Sequence, residues 1–184
     1  MSEDAYCILT AEDVQKALSR MGAEIVDRNR GVRNLALVGV RTRGEFLAKR
    51  LRECIVASGG SSQEEERVPV GVLDVTIYRD DFDPLKTRIE ILQTEIPFSV
   101  EGVHIVLVDD VLWTGRTVRA AMTGVMSFGR PGCISLAVLI DREGRELPIS
   151  ADFVGRTVST SSQDRVQVLL SEVDDRDEVV VSQL

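Results

Sequence analysis

Two adjacent carboxylates, Asp109 and Asp110, stand a few residues before Thr114-Gly115-Arg116-Thr117. Side chains of these kinds in this order suit a phosphorylated ribose. Acids accept hydrogen bonds from sugar hydroxyls. Threonine hydroxyls, a glycine that lets the backbone approach closely and the free N–H groups of a helix start hold a phosphate. The elements that would position these groups flank them. Residues 103–108 are a short apolar run, rich in β-branched types, of the length expected for a buried parallel strand. The two acids would stand at its end and face solvent. After the threonines, Val118, Ala121, Met122 and Val125 recur at helical spacing. An ordinary crossover whose helix is capped by Asp and Thr shares part of this pattern, but not both acids and T-G-x-T in register. No G-x-x-x-x-G-K-[ST] occurs, so the loop is not a Walker A loop.

The same strand–loop–helix logic occurs once more upstream. Residues 35–40 (L-A-L-V-G-V) read as a buried strand, run into Arg41-Thr42-Arg43-Gly44, and lead to Leu47, Leu51, Cys54 and Ile55 on one helical face. Taken alone, the turn is equally well a plain surface turn. Taken with residues 106–117, it would place two anion-binding loops side by side at the carboxyl ends of a parallel sheet. The other elements follow from pattern. Residues 7–9 read as a short strand, and Thr10 to Asp13 as a capping box with Asp in place of Glu. Val14, Leu18, Met21 and Ile25 space out a helix ending near Gly31. Residues 70–77, 134–140 and 166–170 read as strands, and Gly129 to Gly132 as a helix stop. Residues 58–67 are a polar connection. The stretch of about 78–98 is long for an internal connection and reads as a flap, with alternation around Ile89 and Ile91 suited to a hairpin.

This alternation of strands and helices predicts one α/β domain with a mainly parallel open sheet flanked by helices. Its core would span about residues 31–141, with a small hood over the carboxyl ends built from about residues 1–10 and 142–184. At 184 residues with 43% hydrophobic content, the chain can bury a core of its own, and no apolar run is long enough to cross a bilayer. The acidic N-terminus lacks the basic and apolar regions of a signal peptide. Cys7, Cys54 and Cys133 are widely spaced without C-x-x-C, which fits a reducing cytoplasm and argues against zinc. With His104 as its single histidine, the chain has little scope for His-based metal or triad chemistry. A formal charge of −8 disfavours indiscriminate nucleic-acid binding, although Arg supplies 19 of the 22 basic residues.

V-L-V-D-D-V-L-W-T-G-R-T resembles the ribose-phosphate signature of type I phosphoribosyltransferases: four apolar residues, two acids, then T-G-x-T. The resemblance narrows to the PyrR family, regulators of pyrimidine operons with uracil phosphoribosyltransferase activity. L-V-G-V-R-T-R-G, L-D-V-T-I-Y-R-D-D, L-A-V-L-I-D-R and A-D-F-V-G follow in that family's order over nearly the whole chain. It implies a type I phosphoribosyltransferase fold and transfer of uracil onto 5-phosphoribosyl-1-pyrophosphate (PRPP), giving UMP. Mg²⁺ would come with PRPP rather than be held mainly by protein side chains. Asp109 and Asp110 would fix the ribose hydroxyls, and Thr114, Gly115, Arg116 and Thr117, with Val111, would hold the 5-phosphate. Arg41, Thr42, Arg43 and Gly44 would take the pyrophosphate, and Arg79 on the flap would close over it. A helix N-terminus offers an anion about 0.3–2 kcal/mol, so arginines and Mg²⁺ must supply most of the binding. Uracil would lie against Phe153, near Val154, Asp141 and Arg142. A homodimer or higher homo-oligomer is also implied.

Trp113 occupies the position where hypoxanthine-guanine enzymes carry an acid before T-G-x-T, and PyrR proteins usually a Tyr. The acid that would serve a purine ring is missing, although a lone Trp there would also suit packing under the flap. Regulatory members present His and Arg to mRNA from the N-terminal helix and the D-R-G-H-R-E-L-P-I-R stretch. Arg20, Arg28 and Arg145 match that surface. Ala23, Gly144 and Ser150 stand where His, His and Arg are usual, and Glu143 adds an acid. The sequence therefore favours the enzyme over the RNA-binding regulator. A PRPP-binding regulator with little catalysis and a purine-base transferase remain the alternatives.

Overall fold

The computed structural model describes residues 5–59, 68–78, 93–161 and 163–183. Five parallel strands form the central sheet in the order β3 (Val70–Leu73), β2 (Leu35–Val40), β4 (His104–Leu112), β5 (Cys133–Arg142) and β6 (Phe153–Val158). Apolar runs such as L-A-L-V-G-V suit this position because both faces are covered. Leu35, Leu37, Val106 and Val108 point to one layer, where α1 (Ala11–Asn29) and α2 (Arg43–Gly59) close the core. Ala36, Val38, Ile105 and Leu107 point to the other, under α3 (Arg116–Met126).

The helix signals read from the sequence hold. Thr10 accepts from the Asp13 N–H at 3.3 Å, and the Thr10 N–H donates to the Asp13 carboxylate at 3.0 Å, completing the capping box. Val14, Leu18, Met21 and Ile25 are all buried, and Arg30 caps the other end in the left-handed region.

A second sheet forms the hood: β1 (Tyr6–Leu9), β8 (Glu178–Gln183) and β7 (Asp164–Leu169), antiparallel and in that order. A four-residue helix, α4 (Ser171–Asp174), joins β7 to β8. Acids of α4 and of the turn after it clamp the hood to α2. Arg50 donates to Glu172 at 2.6 Å and Asp177 at 2.8 Å, and Arg43 donates to Asp174 at 2.8 Å.

Three boundaries differ from the sequence reading. The strand expected over 70–77 stops at Leu73, because the Asp74 carboxylate accepts from the Thr76 N–H and hydroxyl and turns the chain into a 3-10 turn at Thr76–Tyr78. β4 runs four residues beyond the expected 108, since β5 continues beside it and pairs Asp109 with Val138, Val111 with Ile140 and Leu112 with Asp141. The tail does not all go to the hood. β6 joins the central sheet next to β5, and Phe153 fills the core beneath α1. Residues 60–67 and 79–92 lie outside the described residues, and with them Arg79, most of the expected flap and the alternation around Ile89 and Ile91. Within the stretch expected to be the flap, Glu95 lies at the sheet edge and exchanges two backbone hydrogen bonds with Val72, at 2.7 and 2.8 Å. Among the described residues, no helix is long and apolar enough to cross a membrane.

Candidate active site

The site begins with the β2–α2 turn and β4 held in contact. A Cβ on Gly44 would lie 2.4 Å from the Val108 carbonyl oxygen and 3.2 Å from the Asp109 Cα. Only glycine lets the turn carrying Arg41, Thr42 and Arg43 rest against the strand carrying the acids. The two stretches singled out in the sequence are therefore brought together.

The acids are not solvent-facing, contrary to expectation. Because β4 continues past them, Asp109 is buried at 6% exposure and Asp110 is half-buried. The Asp110 N–H donates to Asp109 at 2.9 Å, and the Val111 N–H donates to Asp110 at 2.8 Å. Burial holds the Asp109 carboxyl well above the usual carboxylate range, and the Asp110 charge pushes it further. Asp110 is raised as well, chiefly by burial, against the Val111 N–H, the Asp109 contact and the Arg43 guanidinium, all of which favour its charge. A buried carboxylate pair in this state favours a ligand that brings hydroxyl donors or positive charge.

Gly115 opens α3 with φ of 90° and no side-chain cap, so the first-turn N–H groups remain available to an anion. The Thr114 hydroxyl accepts from the Arg116 N–H at 3.3 Å. Its carbonyl accepts from the N–H groups of Glu146 and Leu147 at 3.0 and 3.1 Å, tying this loop to the segment after β5. Arg116 donates to Glu146 at 2.6 Å. On the β2–α2 side, Arg41 pairs with Glu45 at 3.0 Å and donates to the Gln93 carbonyl at 3.1 Å, while Thr42 is exposed. Arg43 grips Asp174 of the hood through two nitrogens at 2.8–3.3 Å.

A cavity of about 330 Å³ opens beside Asp110 and the start of α3, and neither Asp109 nor the turn at residues 41–44 lines it. It is lined by residues 110–115 with Thr117 and Val118, and by Arg142 with Asp164, Arg165 and Val166. Arg142 is 4% exposed, and burial lowers its pKa. Its terminal nitrogens donate to the carbonyls of Asp164 and Ser161, both at 3.1 Å, and its guanidinium stands 4.7 Å over the Trp113 ring. Asp141 accepts from Arg145. The same guanidinium also donates to the carbonyls of Ile149, Leu112, Trp113 and Arg142 at 2.6–3.3 Å.

Phe153 and Val154 do not line this cavity. Phe153 is 1% exposed in the layer beneath α1, with the Arg28 guanidinium 4.8 Å over its ring. Val154 faces the other core layer, and its carbonyl accepts from Arg20 at 2.9 Å. Asp164, Arg165 and Val166 line the cavity instead. They went unrecognised as site residues because they reach the cavity through the return of β7 from the hood, which leaves no local spacing signal. His104 is remote from this chemistry. It bonds Asn29 and Ser135 at 2.9 Å where β4 begins, and burial lowers its pKa.

Among the described residues, no cluster of three or more His, Cys, Asp or Glu could hold a metal. Two carboxylates are too few to hold a hard divalent cation by themselves, so a cation here would take most of its oxygens from a phosphorylated ligand and water.

Comparison with known proteins agrees with this geometry. Residues 8–170 match the phosphoribosyl transferase domain family. The bifunctional protein PyrR of Pelotomaculum thermopropionicum is 49% identical over 181 residues, covering 98% of this chain and 97% of that protein. Its counterpart in Listeria monocytogenes is 51% identical over 171 residues, 91% of each chain. Among solved structures, a Trypanosoma cruzi hypoxanthine phosphoribosyltransferase shares the fold with a TM-score of 0.73 at 20% identity, over 100% of this chain and 94% of its own.

Proposed function

We propose, on the premise that the chain belongs to the phosphoribosyl transferase family and within it to the PyrR proteins, that it transfers uracil onto PRPP to give UMP and pyrophosphate. The observation that carries this reading is the pair of β4 carboxylates, raised in pKa by burial, between the uncapped start of α3 and the β2–α2 turn. As pyrophosphate leaves, positive charge grows on the ribose ring, as in glycoside cleavage. Asp109 and Asp110 accept from the ribose hydroxyls and offset that charge. Thr114, Gly115, Arg116 and Thr117 hold the 5-phosphate, and the turn at Arg41 to Gly44 faces the pyrophosphate. Mg²⁺ would come with PRPP, with Asp109 and Asp110 beside it, and would supply neutralising charge for the leaving pyrophosphate. Arg142 and residues 164–166 border the base. Arg43 must exchange Asp174 for a phosphate oxygen to take part. The three cysteines are free, in keeping with a cytoplasmic protein.

A panel of uracil, cytosine, guanine, hypoxanthine and orotate, assayed for PRPP-dependent pyrophosphate release, tests this directly. Uracil is expected to give the highest kcat/KM. Guanine or hypoxanthine in first place would move the chain to the purine enzymes.

The relatives are named bifunctional, and from this chain's resemblance to the PyrR regulators we infer that its second activity is binding of pyrimidine-operon leader mRNA in response to UMP. Arg20 and Arg28 keep about half their side-chain surface exposed (55% and 52%), whereas Arg145 spends its guanidinium inside the fold. With Ala23, Gly144 and Ser150 in place of donors, binding is expected to be weak and salt-dependent, each phosphate contact adding a log–log slope of roughly 0.7–0.9. Titration of an attenuator-type RNA hairpin with and without UMP measures this. Tight, UMP-enhanced binding at physiological salt would contradict it.

A further inference from the structure

The one tryptophan of the chain stands at the mouth of the cavity with a glycine hollowed out for it. We propose that Trp113, stacked on Arg142 and seated over Gly144, is a fixed wall that sets base specificity by narrowing the pocket to a one-ring base. This inference rests on the transferase reading above and deepens it.

Four observations carry it. Trp113 and Arg142 both line the cavity and form one continuous stretch of its wall, the guanidinium lying 4.7 Å from the indole centroid. Arg142 cannot swing away without breaking its bonds to the carbonyls of Ser161 and Asp164. Its Nε is buried with no hydrogen-bond partner, so the indole face supplies the electron density that the desolvated cation lacks. The main chain under Trp113 is equally fixed, since Arg145 donates to the carbonyls of Leu112, Trp113 and Arg142 at once.

Gly144 completes the seat. It has φ of +106°, and a Cβ built there would lie 2.6 Å from the indole Nε1 and 3.1 Å from Cδ1. Any other residue at 144 would be strained and would push the indole from its place. Trp113 nevertheless remains 44% exposed, although an aromatic ring gains by burying about 150–250 Å². A large ring held rigidly yet half-covered at a cavity mouth is placed to be finished by a flat ligand. An indole there also takes up space that a second ring would need.

Intrinsic fluorescence reads this wall directly, because Trp113 is the chain's single Trp. UMP should shift or quench its emission with the same midpoint that equilibrium dialysis gives. Flat emission through saturation overturns the contact. Trp113→Ala should raise KM for uracil about tenfold and shift the kcat/KM ratio of hypoxanthine or guanine to uracil upward by about tenfold, each equivalent to one decade of binding. Trp113→Tyr, which keeps a flat ring, should stay within roughly threefold of wild type. Gly144→Ala should move the base ratio in the same direction as Trp113→Ala while leaving KM for PRPP unchanged. An unchanged base ratio in Trp113→Ala overturns the proposal while uracil turnover by the wild type leaves the transferase reading intact. If the wild type turns over no base, the reading itself fails, and the wall with it.

Discussion

Asp109→Asn combined with Asp110→Asn is expected to lower turnover by about a thousandfold or more, since losing one preorganised electrostatic group at a reaction centre costs about 10²–10³ and two are lost. The fold should not suffer, and at neutral pH it should gain. Both carboxyls have folded pKa values raised by burial, so the folded chain holds their protons more tightly than the unfolded chain does. The stabilising contribution of such groups is complete below the unfolded carboxylate value, about 4, and is lost as pH rises through the raised folded values. Near neutrality the unfolded chain ionises these acids freely whereas burial resists their ionisation in the folded chain, so these two groups make the wild type less stable there than at low pH. Asn keeps the shape and an oxygen for the Asp110 and Val111 N–H groups, while removing the charge. The double variant should melt at or above the wild-type Tm at pH 7.5, with the difference vanishing towards pH 4. Turnover within tenfold of wild type would remove the acids from the mechanism. A lower Tm at neutral pH would mean that their ionised forms are stabilised by a partner the geometry lacks.

That result separates what the sequence could express from what it could not. The β4–loop–α3 unit was legible because its information is local: an apolar run, paired acids, T-G-x-T and helical spacing lie within a few turns of chain. The burial of the acids was not, because it depends on how far β5 continues alongside β4, a property of the neighbouring strand. Phe153 shows the same limit. An aromatic beside a predicted pocket invites stacking, but strand parity sends Phe153 beneath α1 and Val154 to the opposite layer. The residues that do reach the cavity, Asp164 to Val166, arrive through a hood strand whose partner β8 lies at the end of the chain. Spacing carries no trace of that return. Gly144 is a subtler case. In sequence it reads as a missing histidine, whereas in the fold it is the space that Trp113 fills.

Arg145→Ala is expected to destabilise the protein by roughly 2–4 kcal/mol, the combined effect of breaking a partly buried ion pair and leaving several partly buried carbonyls without their donor. For a chain of this size that corresponds to a Tm lower by about 4–16 °C. In sequence Arg145 resembles part of a basic surface. In the fold its Nε serves the Ile149 carbonyl, one terminal nitrogen serves the carbonyls of Leu112, Trp113 and Arg142, and the other serves the Asp141 carboxylate. It thus joins the ends of β4 and β5 to the segment that reaches Thr114, and so holds the frame of the loop proposed to take the phosphate. Arg145→Lys should recover only part of the loss, because one ammonium cannot span acceptors that a planar fork reaches from both edges. Activity should fall with KM for PRPP rising more than kcat falls, since the loop is loosened and the acids are untouched. RNA binding by Arg145→Ala must then be compared at a temperature where the variant is fully folded, with Arg20→Ala and Arg28→Ala as the surface probes. A variant with wild-type Tm and diminished RNA binding would return Arg145 to the surface, and the network around Asp141 would have to hold without it.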